Sequence, residues 1–236
     1  MAEGLLILAD GTGVALRRSA RARRMVLRVG RSDGRAVLTL PPGVSLEVAR
    51  RFVTDHADWL ARQQAAAPGV QRVRVGARLP VAGRPVVITA SPSPGLRLEG
   101  DRLLVPQSRA LGPQVAGFLR TRAREALLPA CLRHVEALEP PARRFAGLSL
   151  RDTRSRWGSC SSAGRLMFSW RLAMAPPAVL DYVAAHEVAH LRHMDHSPAF
   201  WATVAGLLPD HDAARTWLRR HGPGLLAWRF TDPDGH

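Results

Sequence analysis

At 236 residues and 46% apolar content, the chain can hold one large domain or two small ones, each with its own core. No apolar run approaches the ~18 residues of a membrane span. Leu5-Leu6-Ile7-Leu8 is too short for a signal-peptide core, and Cys131 and Cys160 make neither a disulfide framework nor a Cys-x-x-Cys knuckle, so a cytoplasmic protein without membrane contact is expected. The net charge of +15 comes from arginine alone, 34 residues with no lysine. An anionic partner such as nucleic acid is one reading of it, since guanidinium pairs bidentately with phosphate. A base-composition bias that leaves a basic surface without a dedicated ligand is the other.

In chain order, residues 1–108 read as a β-rich N-terminal region with one helix. Met25–Val29 and Ala36–Leu40 are short β-rich runs flanking Ser32-Asp33-Gly34, which is hairpin chemistry. Ser45 is placed to cap a helix on which Phe52, Val53, His56, Trp59 and Leu60 keep helical spacing, ending near Pro68-Gly69. Val73–Val75, Val86–Thr89 and Leu103–Val105 read as further strands between Gly and Pro turns. Arg17, Arg18, Arg21, Arg23, Arg24 and Arg28 form a cluster that is either a solvated charged face or a polyanion contact.

From 109 to 236 the pattern is helical. Val115, Phe118, Leu119, Arg122, Ala126 and Leu127 follow a 3.6 period, and Pro129 either kinks that helix or opens a second one. Leu148–Leu150 and Arg165–Leu172 read as strands on either side of a Ser- and Gly-rich loop from Arg154 to Ser162. Pro176-Pro177 opens a helix expected to end near Met194. Ser197 and Pro198 open the next, and a last helix starts near Asp210 and closes at Gly222-Pro223.

The helix from Pro177 carries His186-Glu187-Val188-Ala189-His190, and four of the nine histidines lie between 186 and 196. On a helix, residues four apart project from one face, so His186 and His190 can share a Zn²⁺ with Glu187 beside it as general base. A catalytic zinc site needs a third protein ligand and one open position. No Glu follows Glu187, which closes the route of a ligand Glu from a later helix and leaves His193, Asp195, His196, Asp210, His211, Asp212 and His221. His193 would be nearly collinear with the first two on a continuing helix. His196, past the helix end, can fold back, and its spacing equals that of the metzincin pattern. His193 nevertheless replaces that pattern's Gly, and no Met-turn is visible. A second oxyanion donor stays open among Tyr182, His211, His221, Arg154 and Arg156. The rival expectation is an Arg-rich nucleic-acid-associated protein whose zinc site is structural or inactive.

Arg156-Trp157-Gly158-Ser159-Cys160-Ser161-Ser162, Trp170-Arg171-Leu172, Pro177 to Tyr182 and His186 through Trp201 resemble the YgjP-like zinc metallopeptidases, a family related to the SprT-like proteases. Arg17 to Arg24 and Trp59-Leu60 are similar to its N-terminal region. The resemblance implies an α+β protein: a β-rich N-terminal part, then a compact zincin-type helical catalytic domain with a small sheet. It implies Zn²⁺ on His186, His190 and His196, a catalytic Glu187 and a protein or peptide substrate. Arg156 and Trp157 of the loop, with Ser169 and Trp170 of the strand, are expected to line the cleft, that strand offering backbone hydrogen bonds to an extended peptide. Asp195 and Ser169 stand where the family commonly has Asn, a change that touches contacts around the ligands rather than the ligands.

Overall fold

The computed structural model describes residues 4–107 and 110–231. The protein is α+β, with small sheets in the N-terminal part and helices dominating the rest. Among the described residues no helix is long and apolar enough to cross a membrane. The chain divides into two compact units, one ending at Val70 and the other beginning at Gln71.

In the first unit, β1 (Gly4–Ile7), β2 (Gly13–Arg18), β3 (Val26–Val29) and β4 (Ala36–Leu40) form a sheet in the order β1-β2-β4-β3. The expected β3–β4 hairpin is present, with Gly34 at φ +66°, a conformation that glycine adopts without steric cost. Beyond it the sequence expectation stopped short: β2 pairs parallel to β4, a long-range contact that no local pattern announces. The expected single helix is two, α1 (Leu46–Asp55) and α2 (Ala57–Ala65). Ser45 caps the first, its hydroxyl accepting from Val48 N at 3.2 Å. The break falls at His56, which leaves helical geometry (φ −111°, ψ 14°) and turns its ring Nδ1 to the Phe52 carbonyl at 2.8 Å. Alternate residues Leu38 and Leu40 meet Val53 and Leu60 in a core of their own.

The second unit opens with β5 (Gln71–Arg72), β6 (Arg78–Val81), β7 (Arg84–Ser91), β8 (Arg97–Glu99) and β9 (Arg102–Pro106); the last four make a sheet in the order β6-β7-β9-β8. The expected strand at 73–75 falls in the connection between β5 and β6. Leu79, Ile88, Leu103 and Val105 of this sheet share one core with the helices that follow. The compact units therefore part at 70/71, although the pattern changes from β to helical near 108.

Next come α3 (Leu111–Glu136), one helix that runs through Pro129, then β10 (Leu148–Arg151), β11 (Gly158–Cys160) and β12 (Leu166–Ser169). A short 3₁₀ helix spans Trp170–Met174, followed by α4 (Pro177–Ala189), α5 (Pro198–Leu207), α6 (His211–Leu226) and β13 (Trp228–Arg229), which pairs with β5. Helix α6 passes the expected stop at Gly222-Pro223. A Cβ on Gly222 would stand 3.0 Å from the Trp157 ring, so this glycine serves a close approach rather than a helix end.

Two charged contacts fix the frame around α4. Arg171, 1% exposed, holds Asp152 through Nε (2.6 Å) and Nη2 (3.3 Å) and gives Nη1 to the carbonyls of Leu225 and Trp228, both at 3.0 Å. Asp181, on the first turns of α4, accepts from Arg133 at 2.6 Å and from the buried His134 of α3 at 2.8 Å. The hydrogen bond from His134 leads the effects that hold the Asp181 carboxyl below its ordinary value of 3.8, so its stabilisation is complete above pH 3.8 and fades as pH falls through the lowered native value. The difference in melting temperature between wild type and Asp181→Asn should therefore be largest above pH 3.8 and shrink below it.

Candidate metal centre and its surroundings

Helix α4 presents His186 and Glu187 on its last turns and ends at His190, several residues before the expected Met194. No glycine makes this stop. His190 is the C-cap, and its Nδ1 lies 2.9 Å from the His193 carbonyl in the turn that follows. A carbonyl can only accept, so Nδ1 carries the proton and Nε2 keeps a free lone pair. The contribution of His193 is thus its backbone, not its ring.

The turn returns His196 to the helix. Its Nε2 stands 3.2 Å from His186 Nε2, and one ligating atom from each of His186, His190 and His196 lies within 4.8 Å of the others. Two nitrogens each about 2.0–2.1 Å from a tetrahedral ion would stand about 3.3 Å apart, so the His186–His196 separation fits one shared cation. Beyond the turn, Asp195 Oδ1 accepts from Ser197 N at 3.2 Å and Ser197 Oγ caps α5. Helix α5 then places the fully buried Phe200 under all three imidazoles, with ring centroids 4.9, 4.5 and 4.8 Å from His186, His190 and His196. Sequence reading had Phe200 only as core; its spacing gave no sign of this second duty.

The electrostatics match a cation site. Burial, then the neighbouring His190 and His196, pushes His186 down to about 3, and burial lowers His190 as well. Both rings are neutral at pH 7 and can act as ligands. Burial pushes Glu187 up to about 8, with the charge of Arg156 opposing. Its Oε2 and the His186 Nδ1 are buried without a hydrogen-bond partner among the described residues. Unpartnered buried polar atoms are costly, and a water or an ion is among the partners that would satisfy them. Neither thiol competes: burial lifts Cys160 to about 11 and Cys131 to about 12, leaving both protonated.

Beside Glu187 runs β11, inside the stretch expected to be loop. A Cβ on Gly158 would come within 2.5 Å of Glu187 Cγ and Oε1, so only glycine lets strand and carboxylate lie this close. Sequence reading missed this residue, because its role depends on a contact across the fold. Strand β12 is central, flanked by β10 and β11, and both its edges are used. The expectation that it would offer hydrogen bonds to a peptide is corrected accordingly. The open edge belongs to β11. Ser169 N donates to Trp157 O at 2.8 Å and Ser161 N to Arg165 O at 3.0 Å. Bonded pairs alternate along an antiparallel ladder, so the backbone groups of Gly158 and Cys160 point away from β12.

Of the four expected cleft residues, Arg156 is exposed and Trp157 half-buried against Gly222. Ser169 and Trp170 are buried at 0% and 1%, Trp170 edge-on to Phe230 and under Arg171, so they belong to the core and cannot line a cleft. Among the candidates for a second oxyanion donor, Tyr182 lies beside His186 with centroids 5.9 Å apart, and His211 stacks on Tyr182 at 6.3 Å.

Three imidazoles converging next to a buried carboxylate, on one helix and its return turn, form a group that could hold a metal ion. The YgjP-like, metallopeptidase domain family matches residues 23–221, and the chain belongs to that family. Neither a curated protein nor a solved structure matches it significantly.

Proposed function

We propose that the chain is a zinc-dependent peptidase in which His186, His190 and His196 hold the ion and Glu187 is the general base, the chemistry being carried by residues 109–236. The observation that carries this reading is the convergence of the three imidazoles beside an unpartnered Glu187 Oε2. A zinc ion held there supplies Lewis acidity, polarising the scissile carbonyl and lowering the pKa of water to about 7. The residues do the rest. A cation nearby favours the ionised form of Glu187, offsetting the burial that raises it. As carboxylate it takes the proton from the attacking water, holds it on Oε2 and delivers it to the leaving amine. The outward backbone groups of Gly158 and Cys160 can pair with an extended peptide and hold its carbonyl beside Glu187. Two free cysteines fit a reducing compartment, and the cytoplasm is the location we propose.

The nucleic-acid rival draws on exposed Arg17, Arg21, Arg23, Arg24 and Arg28. A solvated charged face accounts for them equally well, and no observation favours the rival.

The test is cleavage of an unfolded protein by the zinc-loaded chain, read as new termini by mass spectrometry. Cleavage should stop with a chelator and return with zinc; a zinc-loaded, folded chain that cuts nothing would refute the proposal. Gly158→Val should lower cleavage by about 10²-fold with zinc retained, since a shift of about 1 Å in a catalytic group costs that much. Metal content and melting temperature, measured alongside, separate displacement of Glu187 from general unfolding.

A further inference from the structure

The connection into β11 carries Arg154 and Arg156, both exposed. Among the described residues no carboxylate lies within ion-pair distance of either. The acidic residue just before them, Asp152, is taken by Arg171. Their turn is held by the Thr153 hydroxyl, which donates to the Arg156 carbonyl at 2.7 Å. Two residues on, Gly158 touches Glu187, so Arg156 starts within about 7 Å of the base along the backbone.

The other end of the strand is also basic. Arg143 is exposed and without an acidic partner among the described residues, and its backbone N donates to the Leu191 carbonyl at 2.8 Å, in the turn after α4. Three residues on, Ala146 N donates to Gly164 O at 2.9 Å, in the turn that leaves β11. The open edge beside Glu187 therefore has unneutralised guanidinium groups at both ends and no free carboxylate on the strand itself.

We infer that this edge selects acidic peptide segments, with Arg154 and Arg156 meeting carboxylates on one side of the cut and Arg143 on the other. The inference rests on the peptidase reading for the position of the cut, but not for the binding. A peptide laid along β11 satisfies the outward backbone groups whatever its sequence, so main-chain pairing gives affinity and the arginines give the choice. The net charge of +15 adds long-range attraction of acidic chains, which salt screens.

The test uses three short fluorescent peptides of one neutral core flanked by Glu, Gln or Lys. Binding is measured by anisotropy on Glu187→Gln, which is expected to hold substrate without cutting it, and cleavage on the wild type. The Glu-flanked peptide should bind about tenfold tighter than the Gln-flanked one at about 0.1 M salt, a few exposed ion pairs' worth. Adding Arg143→Gln, Arg154→Gln and Arg156→Gln should bring that ratio close to one, while Arg219→Gln with Arg220→Gln on the exposed side of α6 should leave it. Equal binding of the Glu and Gln peptides would overturn the inference, as would a ratio unmoved by the triple change. Equally strong competition by an oligonucleotide of the same charge would also overturn it, revealing a general polyanion surface. Acid-selective binding with no cleavage by the wild type would instead sink the peptidase reading and leave the inference standing.

Discussion

Glu187→Gln should abolish measurable peptide cleavage, a loss of about 10²–10⁴-fold, and leave the metal in place. Glutamine has nearly the shape of glutamate, so it fits the pocket between Gly158 and α4 without new overlap, but its amide cannot accept and return a proton. The three imidazoles do not depend on it. If the variant keeps zinc and still cuts at the wild-type rate, Glu187 is not the base. If it loses zinc, the carboxylate is supporting the ligands instead.

His196→Ala should lose zinc outright, by more than the about 10–100-fold that losing an outer contact of a ligand costs. His196 is the cleanest of the three histidines to remove because it is exposed, whereas His186 is half-buried and His190 buried. Folding should therefore survive. Zinc raises the melting temperature of any chain that binds it only when folded, so the wild type should gain stability with added zinc and His196→Ala should not. An unchanged zinc response would exclude His196 from the site.

How much of this was legible beforehand depends on the range of each signal. The His186–His190 pair follows from helical spacing, and the Ser197 cap from local chemistry, so both could be read directly. The return of His196 was readable because a helix had to end before Ser197. Where it ends was not, since the stop is a ring-to-carbonyl bond at His190 rather than a glycine. Gly158 sits in a stretch whose composition reads as loop, and only the fold reveals that Glu187 lies against it. Ser169 and Trp170 illustrate the reverse error: the strand after the loop was expected to line a cleft, while β12 and the 3₁₀ helix carry these two residues into the core. The β2–β4 pairing and the break at His56 likewise depend on contacts and backbone geometry that the hydrophobic pattern does not encode.

In the proposed peptidase, three imidazoles hold one zinc ion and leave a position open. X-ray absorption at the zinc edge of the reconstituted wild-type chain tests it directly. The expected spectrum has three imidazoles at about 2.0–2.1 Å with one further light oxygen donor from solvent. A shell completed by a fourth protein ligand, or sulfur at about 2.3 Å from Cys131 or Cys160, would mark a closed structural site and contradict the catalytic account.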